Sequence, residues 1–130
     1  DRKYDGVETV GFIPVTQLMK EIEKATFCVL PLQSFNYSFG QMTLLQQMLL
    51  KKAVIAANVP SLRDYVTDEQ DCLLYEPENA EELAEQMDRL IKDPEFSRRL
   101  GENAMQSVRE KWNEKRMAQD IWEFCREIVE

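Results

Sequence analysis

The sequence predicts an α/β fold: a three-layer domain with a mainly parallel sheet and a helical C-terminal tail. Short apolar runs alternate with amphipathic stretches along its first part, as expected of parallel strands joined by covering helices. From residue 79 onward the pattern is helical. The 130 residues, 44% of them hydrophobic, suffice for a real core. We therefore expect residues 1–130 to form a single domain.

Four apolar segments predict the strands. Gly11 and Pro14 close the first, and Pro31 stops the second, which is apolar throughout and is typical of a strand buried on both faces. The third and fourth are equally short and apolar. The predicted strands are residues 7–12, 26–32, 54–57 and 72–75.

Helices are predicted between and after these strands. The first begins at Thr16 as N-cap, and residues 40–50 form the second from strong helix formers after an aperiodic loop at 33–39. Residues 62–66 are expected to make one or two turns. Asn79 with Glu82 resembles a capping box, and Asp93 caps a helix that starts with proline.

The last helix, predicted at 114–129, follows Asn113 as its N-cap. Its apolar residues share one stripe. Trp112 and Trp122 either pack in the core or face a part of the protein outside this sequence. The stripe residues are Met117, Ile121, Phe124, Cys125 and Ile128.

Composition excludes several functions. A net charge of −8 argues against binding nucleic acid, and no apolar run has the ~18 residues of a transmembrane segment. The chain contains no histidine, which excludes acid–base catalysis and metal binding by a histidine of this sequence. Glu81-Glu82 has a capping explanation, so we expect no metal site. Cys28, Cys72 and Cys125 are odd in number and widely spaced, which favours buried reduced thiols in a cytoplasmic protein.

Several stretches resemble, in order, the motifs of one enzyme family. Residues 10–14 (VGFIP) and 25–31 (ATFCVLP) resemble "V-x-x-x-G" and "A-D-x-x-V-L-P-S". Residues 40–56 (GQMTLLQQMLLKKAVIA) resemble "FG-x-x-x-LEAMA-x-GKPVIA", and 93–104 (DPEFSRRLGENA) resemble "DPELRRRLGENA". The sequence is thus similar to the C-terminal, donor-binding lobe of GT-B glycosyltransferases of family 4, the glycosyl transferases group 1.

The resemblance implies a Rossmann-like lobe that lacks its first strand–helix units and is part of a longer chain. It implies a hexosyltransferase-like enzyme that moves a sugar from a nucleotide-diphosphate sugar to an unknown acceptor, without a cofactor or metal. The nucleotide-sugar would lie at the carboxyl ends of the strands. Because the missing N-terminal lobe of the same protein would complete the site, we expect this chain alone to be inactive.

The resemblance also implies which residues bind the donor. Gly40 permits close backbone approach, and the free N–H groups of the following helix start favour an anion. Gln46 would bind the ribose, and Gly11 and Phe12 would lie near the base. The implied phosphate- and sugar-binding residues are Ser38, Gly40, Gln41, Met42 and Thr43.

The family has a pair of glutamates that lie eight positions apart, and this segment can be aligned with them in two registers. The gap-free register places them at Ser38 and Gln46. The other register pairs Phe39-Gly40 with the Phe-Gly of the family motif and places them at Tyr37 and Leu45. We prefer the first, because no gap precedes residues 53–56. An amide still binds ribose hydroxyls, whereas Ser38 is shorter than glutamate. In this register Lys51 replaces a glycine, at a cost of roughly 1 kcal/mol if its backbone is left-handed.

The sequence leaves one alternative function open and disfavours another. The missing glutamates and missing front of the lobe favour a non-catalytic, degenerate module that serves as a scaffold or interaction domain. A dinucleotide enzyme is disfavoured, since no Gly-x-Gly-x-x-Gly follows a strand. Arg63, Asp64 and Tyr65, after a proline turn, either line the cleft or begin a helix.

Overall fold

The computed structural model describes residues 4–129, which form a parallel three-stranded sheet covered by helices. This confirms the predicted α/β class and the helical C-terminal tail. The elements in chain order are α1 (Val15–Lys24), β1 (Cys28–Leu30), α2 (Gln41–Leu49), β2 (Val54–Ala57), α3 (Pro60–Arg63), β3 (Leu73–Tyr75), α4 (Ala80–Lys92), α5 (Pro94–Lys111) and α6 (Glu114–Val129).

The sheet has the order β1-β2-β3, and both pairings are parallel. Cys28 lies opposite Val54, and Ile55 lies opposite Leu73. The central strand β2 is buried along its whole length, which explains why its sequence is apolar at every position rather than at alternate ones. Because all three strands run parallel, their carboxyl ends share one edge of the sheet.

The core lies between the sheet and its helices. Fully buried leucines come from four helices, and α2 packs closely on α5. One buried carboxylate is paired: Asp71 accepts hydrogen bonds from the Thr67 amide and the Ser107 hydroxyl, both at 2.8 Å. The largest fully buried side chains of the helices are Leu44, Met48, Leu62, Leu90 and Leu100.

The predicted caps of the last three helices are confirmed. Asn79 Oδ1 accepts from the Glu82 amide at 3.1 Å, Asp93 Oδ1 from the Phe96 amide at 3.0 Å, and Asn113 Oδ1 from the Arg116 amide at 2.9 Å. These bonds satisfy amides that have no partner within their own helix. The helix boundaries near residues 79, 93 and 113 were therefore predictable from local chemistry.

The predicted strand at 7–12 is wrong. The segment is a loop, its residues are exposed, and Gly11 has a φ of +63°. A strand exists only where its backbone pairs with another strand, and none of the three described strands pairs with it. Its alternating apolar residues, which include the fully exposed Phe12, therefore stay in solvent.

Two helix starts also differ from the prediction. Thr16 is not the N-cap of α1; the Pro14 carbonyl accepts from the Gln17 and Leu18 amides at 3.0 Å, so the helix begins one residue earlier than Thr16. The short helix predicted at 62–66 instead spans Pro60–Arg63. Proline suits a first helical position because its missing N–H would be unpaired there in any case.

The cysteine prediction is right for two residues and wrong for the third. Cys28 and Cys72 are buried free thiols, whereas Cys125 is exposed on α6. None of the described α6 residues is buried, so the apolar stripe of this helix has no cover among residues 4–129. Trp122 is 67% exposed, whereas Trp112 is half-buried against the core. No helix in the described part of the chain has the length and apolarity to cross a membrane.

Candidate functional site

A pocket of about 530 Å³ opens at the carboxyl ends of β1 and β2. The loop after β1 forms one wall, the first residue of α2 contributes, and the segment after β2 forms the other wall. Neighbouring parallel strands end at the same edge, which is where open α/β sheets bind ligands. The lining residues are Phe35, Asn36, Tyr37, Ser38, Gln41, Pro60, Ser61, Asp64 and Tyr65.

Gly40 sets the start of α2 beside this pocket. Its φ of +85° is left-handed, and a Cβ atom at this position would collide with Leu32 Cδ1. Glycine therefore allows both the sharp turn and the close packing of the loop. Because the N-cap residue is a glycine, it has no side chain that could accept hydrogen bonds from the first amides of α2.

Gln41 joins the two walls of the pocket. Its Nε2 donates to Ser38 Oγ in the loop after β1 and to the Ser61 carbonyl at 3.1 Å in α3. Arg63 is held away on the α3 side: its Nε donates to Asn58 Oδ1 at 2.8 Å and its terminal nitrogen to the Asn58 carbonyl at 3.1 Å. Position 41 thus tethers the pocket walls, and position 63 stabilises the turn before α3.

Aromatic rings occupy the loop wall. The Phe35 and Tyr37 rings stack with centroids 5.2 Å apart and planes 15° apart. Phe39 contacts both, with centroid distances of 5.6 and 5.3 Å. On the opposite wall, Tyr65 packs against Trp112 with ring centroids 4.7 Å apart. The Trp112 indole N–H donates a hydrogen bond to the Tyr65 carbonyl at 3.1 Å. Both walls therefore contain packed aromatic rings.

The pocket lining mixes aromatic and polar side chains, and its one charge is negative. Among residues 4–129, Asp64 is the one charged residue that lines it, and no lysine or arginine of this range does. Beside this lining, the backbone amides at the start of α2 carry partial positive charge. In residues 4–129 no cluster of three or more cysteine, aspartate or glutamate residues is arranged to hold a metal ion.

The structure brings some of the predicted site residues together. Ser38 and Gln41 line the pocket, and Gly40 precedes the α2 start beside it. Tyr37, from the second register, also lines it, as do Asp64 and Tyr65. The other predicted residues, Gly11, Phe12, Met42, Thr43 and Gln46, are not among its lining residues.

Those outlying residues lie in two places. Gly11 and Phe12 are exposed in the loop before α1. Met42 and Thr43 are exposed in the first turn of α2, and Gln46 is half-buried one turn further along. The sequence analysis missed Phe35, Asn36, Pro60 and Ser61 in the lining. The aromatic residues at every second position of the loop were the available signal for part of this set.

Comparison with known proteins identifies the family. The family model described as "Glycosyl transferases group 1" matches residues 2–107, most of the chain and the whole pocket. The chain belongs to the glycosyl transferases group 1 family. This confirms the resemblance drawn from the motifs, and it places the pocket within a glycosyltransferase-like domain.

Solved structures of other group 1 family and GT-B proteins share the fold. Sucrose-phosphate synthase from Thermosynechococcus elongatus is 29% identical with a TM-score of 0.76, covering 92% of this chain and 29% of that one. The C-terminal domain of a group 1 glycosyl transferase from Francisella tularensis is 24% identical (TM-score 0.71), covering 81% of this chain and 53% of that one. HepE from Anabaena, in complex with UDP, is 21% identical (TM-score 0.72), covering 87% and 30% respectively.

These matches support the GT-B C-terminal lobe, in a chain that spans about a third to a half of the solved relatives it resembles. A search of the curated proteins finds no match.

Proposed function

We propose that this domain is the donor-binding part of a glycosyltransferase that moves a sugar from a nucleotide-diphosphate sugar to an acceptor. One observation carries the proposal: within a group 1 family match, the pocket opens at the carboxyl ends of β1 and β2 beside the uncapped start of α2. A second lobe of the same protein would complete the site and hold the acceptor.

The diphosphate is assigned to the start of α2. In the described part of the chain no cationic side chain lines the pocket, so the backbone amides of the α2 start are the positive groups that this domain offers a diphosphate. Gly40 allows the phosphates to approach the backbone closely, and Met42 and Thr43 are exposed in the same turn. The Thr43 hydroxyl adds a donor for a phosphate oxygen. In a chain of net charge −8, this is the local feature that favours a dianion.

The remaining donor groups are assigned around this centre. Ser38 lies in the pocket wall, where the transferred sugar would sit next to the diphosphate. Gln46, one turn into α2, would bind the ribose hydroxyls through its amide. Gly11 and Phe12 would lie near the base once the nucleotide is bound. Each assignment predicts a separable effect on nucleotide affinity.

Calorimetric titration of the full-length protein with UDP, GDP and ADP tests the assignment; UDP is included because HepE was solved with it. Gln46→Ala should weaken binding by about tenfold, the value of one good hydrogen bond. Gln46→Glu, which places the family's carboxylate there, should bind at least as tightly as the native residue. Gln106→Ala, on the exposed side of α5, is the matched control and should change nothing.

Gly40→Val tests the helix start directly. The branched side chain strains the left-handed turn and collides with Leu32, so we expect it to displace the α2 start and abolish nucleotide binding. Circular dichroism and urea unfolding measure how much of the fold the variant keeps. Binding of no nucleotide by the native protein would refute the donor-site proposal. Nucleotide binding that both substitutions leave unchanged would refute the residue assignment alone.

A second candidate function follows from Ser38 and Gln46, which stand where the preferred register places the family's glutamates. Without those carboxylates the lobe would bind a nucleotide-sugar and act as a scaffold or interaction domain. Turnover separates the two functions: release of nucleotide from a nucleotide-sugar, with and without candidate acceptors, supports the transferase. Tight binding without release supports the non-catalytic module.

A further inference from the structure

We infer that the aromatic loop after β1 forms a platform for the sugar ring of the donor, and that Asp64 restricts this sugar to neutral hexopyranoses. The inference rests on the proposed function, since it names the sugar class that the same pocket accepts. It concerns residues that the preferred, gap-free register does not pair with the family's glutamates.

The platform consists of the Phe35, Tyr37 and Phe39 rings. They pack on one another with centroids 5.2 to 5.6 Å apart, within the range that aromatic pairs prefer. Phe35 is nevertheless 41% exposed and Tyr37 63% exposed, and both line the pocket. Exposed, mutually ordered rings in a pocket wall indicate an apolar surface kept available for a ligand.

The rest of the lining suits the other side of a sugar. A hexopyranose has a C–H face that packs on an aromatic ring and a rim of hydroxyls that need hydrogen-bond partners. Asn36, Ser38 and Asp64 supply amide, hydroxyl and carboxylate groups in the same pocket. This combination of aromatic wall and polar groups matches a sugar better than it matches a second phosphate or a purely apolar ligand.

The charge of the lining sets the sugar class. Among residues 4–129, Asp64 is the one charged lining residue, and the neighbouring Arg63 guanidinium is engaged by Asn58 Oδ1 at 2.8 Å and by the Asn58 carbonyl. A uronic acid would add a carboxylate beside Asp64, and no lysine or arginine among the described residues lines the pocket to balance it. Two negative charges in one pocket repel each other and weaken binding, whereas neutral hydroxyls donate hydrogen bonds to the same carboxylate.

Calorimetry on the full-length protein tests the platform. The probes are the bare nucleotide that binds most tightly among UDP, GDP and ADP, its glucose and galactose derivatives, and the corresponding uronates. Tyr37→Ala should weaken the tighter-binding nucleotide-hexose by about tenfold through lost apolar contact, and leave the bare nucleotide within about twofold. Tyr37→Phe keeps the ring and should restore native affinity. Tyr4→Ala removes a tyrosine that is likewise 63% exposed but outside the pocket, and should have no effect.

The same titrations test the charge selection. The native protein should prefer the neutral hexose to its uronate by about tenfold, and Asp64→Asn should reduce that preference to about threefold or less. Since both ligands carry the same diphosphate, any effect of Asp64 on phosphate binding cancels in the ratio.

Three results would overturn the inference. The first is hexose affinity that Tyr37→Ala leaves unchanged, as expected if the rings serve the acceptor, and the second is equal binding of hexose and uronate by the native protein. Both contradict the inference while nucleotide binding, and so the proposed function, stands. The third, absence of binding by every bare nucleotide, contradicts the inference together with the proposed function.

Discussion

Gly101 in α5 lies directly against the backbone of Lys51, at the turn that ends α2. A Cβ atom at position 101 would collide with the Lys51 carbonyl oxygen, would lie 2.8 Å from its carbonyl carbon and would be 3.4 Å from the Ala53 nitrogen. Backbone atoms cannot rotate away as a side chain can. The absence of a side chain at this position therefore allows α5 to pack closely on α2.

This contact predicts that Gly101→Ala destabilises the protein. Alanine in a helix normally improves stability over glycine by 0.5–1 kcal/mol, but here overpacking should dominate and cost about 3 kcal/mol. Urea unfolding gives the free energy of unfolding for comparison. Gln106→Ala on the exposed side of the same helix should stay within about 0.5 kcal/mol of the native value. A stabilised Gly101→Ala variant would show that the two helices are not in contact there.

Lys51 itself has a left-handed backbone, with a φ of +60°, and its side chain is exposed. Lys51→Gly should raise the free energy of unfolding by about 1 kcal/mol, because glycine adopts this conformation without strain. Lys51→Ala is the matched control: it removes the same side chain but keeps the Cβ atom, so it should bring no gain. Equal gains from both substitutions would assign the effect to the lysine side chain instead of its backbone.

Trp112 anchors the junction of α5 and α6 to the pocket wall through Tyr65. Trp112→Phe keeps an aromatic ring but removes the indole N–H that donates to the Tyr65 carbonyl at 3.1 Å. The expected loss of stability is about 1 kcal/mol, the net value of one hydrogen bond. Trp122→Phe, at a position that is 67% exposed, should be nearly neutral. Equal effects of the two substitutions would contradict the role given to Trp112.

The three thiols should differ in reactivity. Burial raises the pKa of Cys28, and burial together with the nearby Asp71 and Asp68 carboxylates raises the pKa of Cys72. Both stay protonated and shielded, whereas Cys125 is exposed. A thiol reagent at pH 8 should therefore label one cysteine rapidly in the folded chain and all three in urea. Cys125→Ser should remove the rapid phase; rapid labelling that persists would mean that a buried cysteine is accessible.

Much of the fold could be predicted because its signals are local. A run such as 54–57, apolar at every position, predicts a doubly buried strand, and Asp93 before Pro94 predicts a helix start whatever surrounds it. The segment at 7–12 has strand-like composition but forms none, since pairing depends on a neighbour elsewhere in the chain. The apolar stripe of α6 shows the same limit: sequence identifies the stripe, but not what covers it.

The candidate site divides in the same way. Gly40 and Gln41 could be found from the sequence, because a glycine before a run of helix formers marks a helix start. Ser61 comes from the segment after β2, twenty positions beyond Gln41, and only the parallel pairing of β1 with β2 brings it to the same pocket. The stacking of Phe35 on Tyr37 depends on the bends of the loop, and a spacing of two residues predicts no particular contact outside a strand.

The strictly consecutive order of the strands has a consequence for how the chain folds. Each strand pairs with the next one along the sequence, so the pairs Cys28–Val54 and Ile55–Leu73 close loops of about 26 and 18 residues, at a lower cost in chain entropy than a longer loop. The contact between Lys51 and Gly101 closes a loop of about fifty residues, and it forms only when α5 docks on α2. We therefore expect the sheet to form early and α5 to complete the core late, with the fit at Gly101 acting mainly on the rate of unfolding.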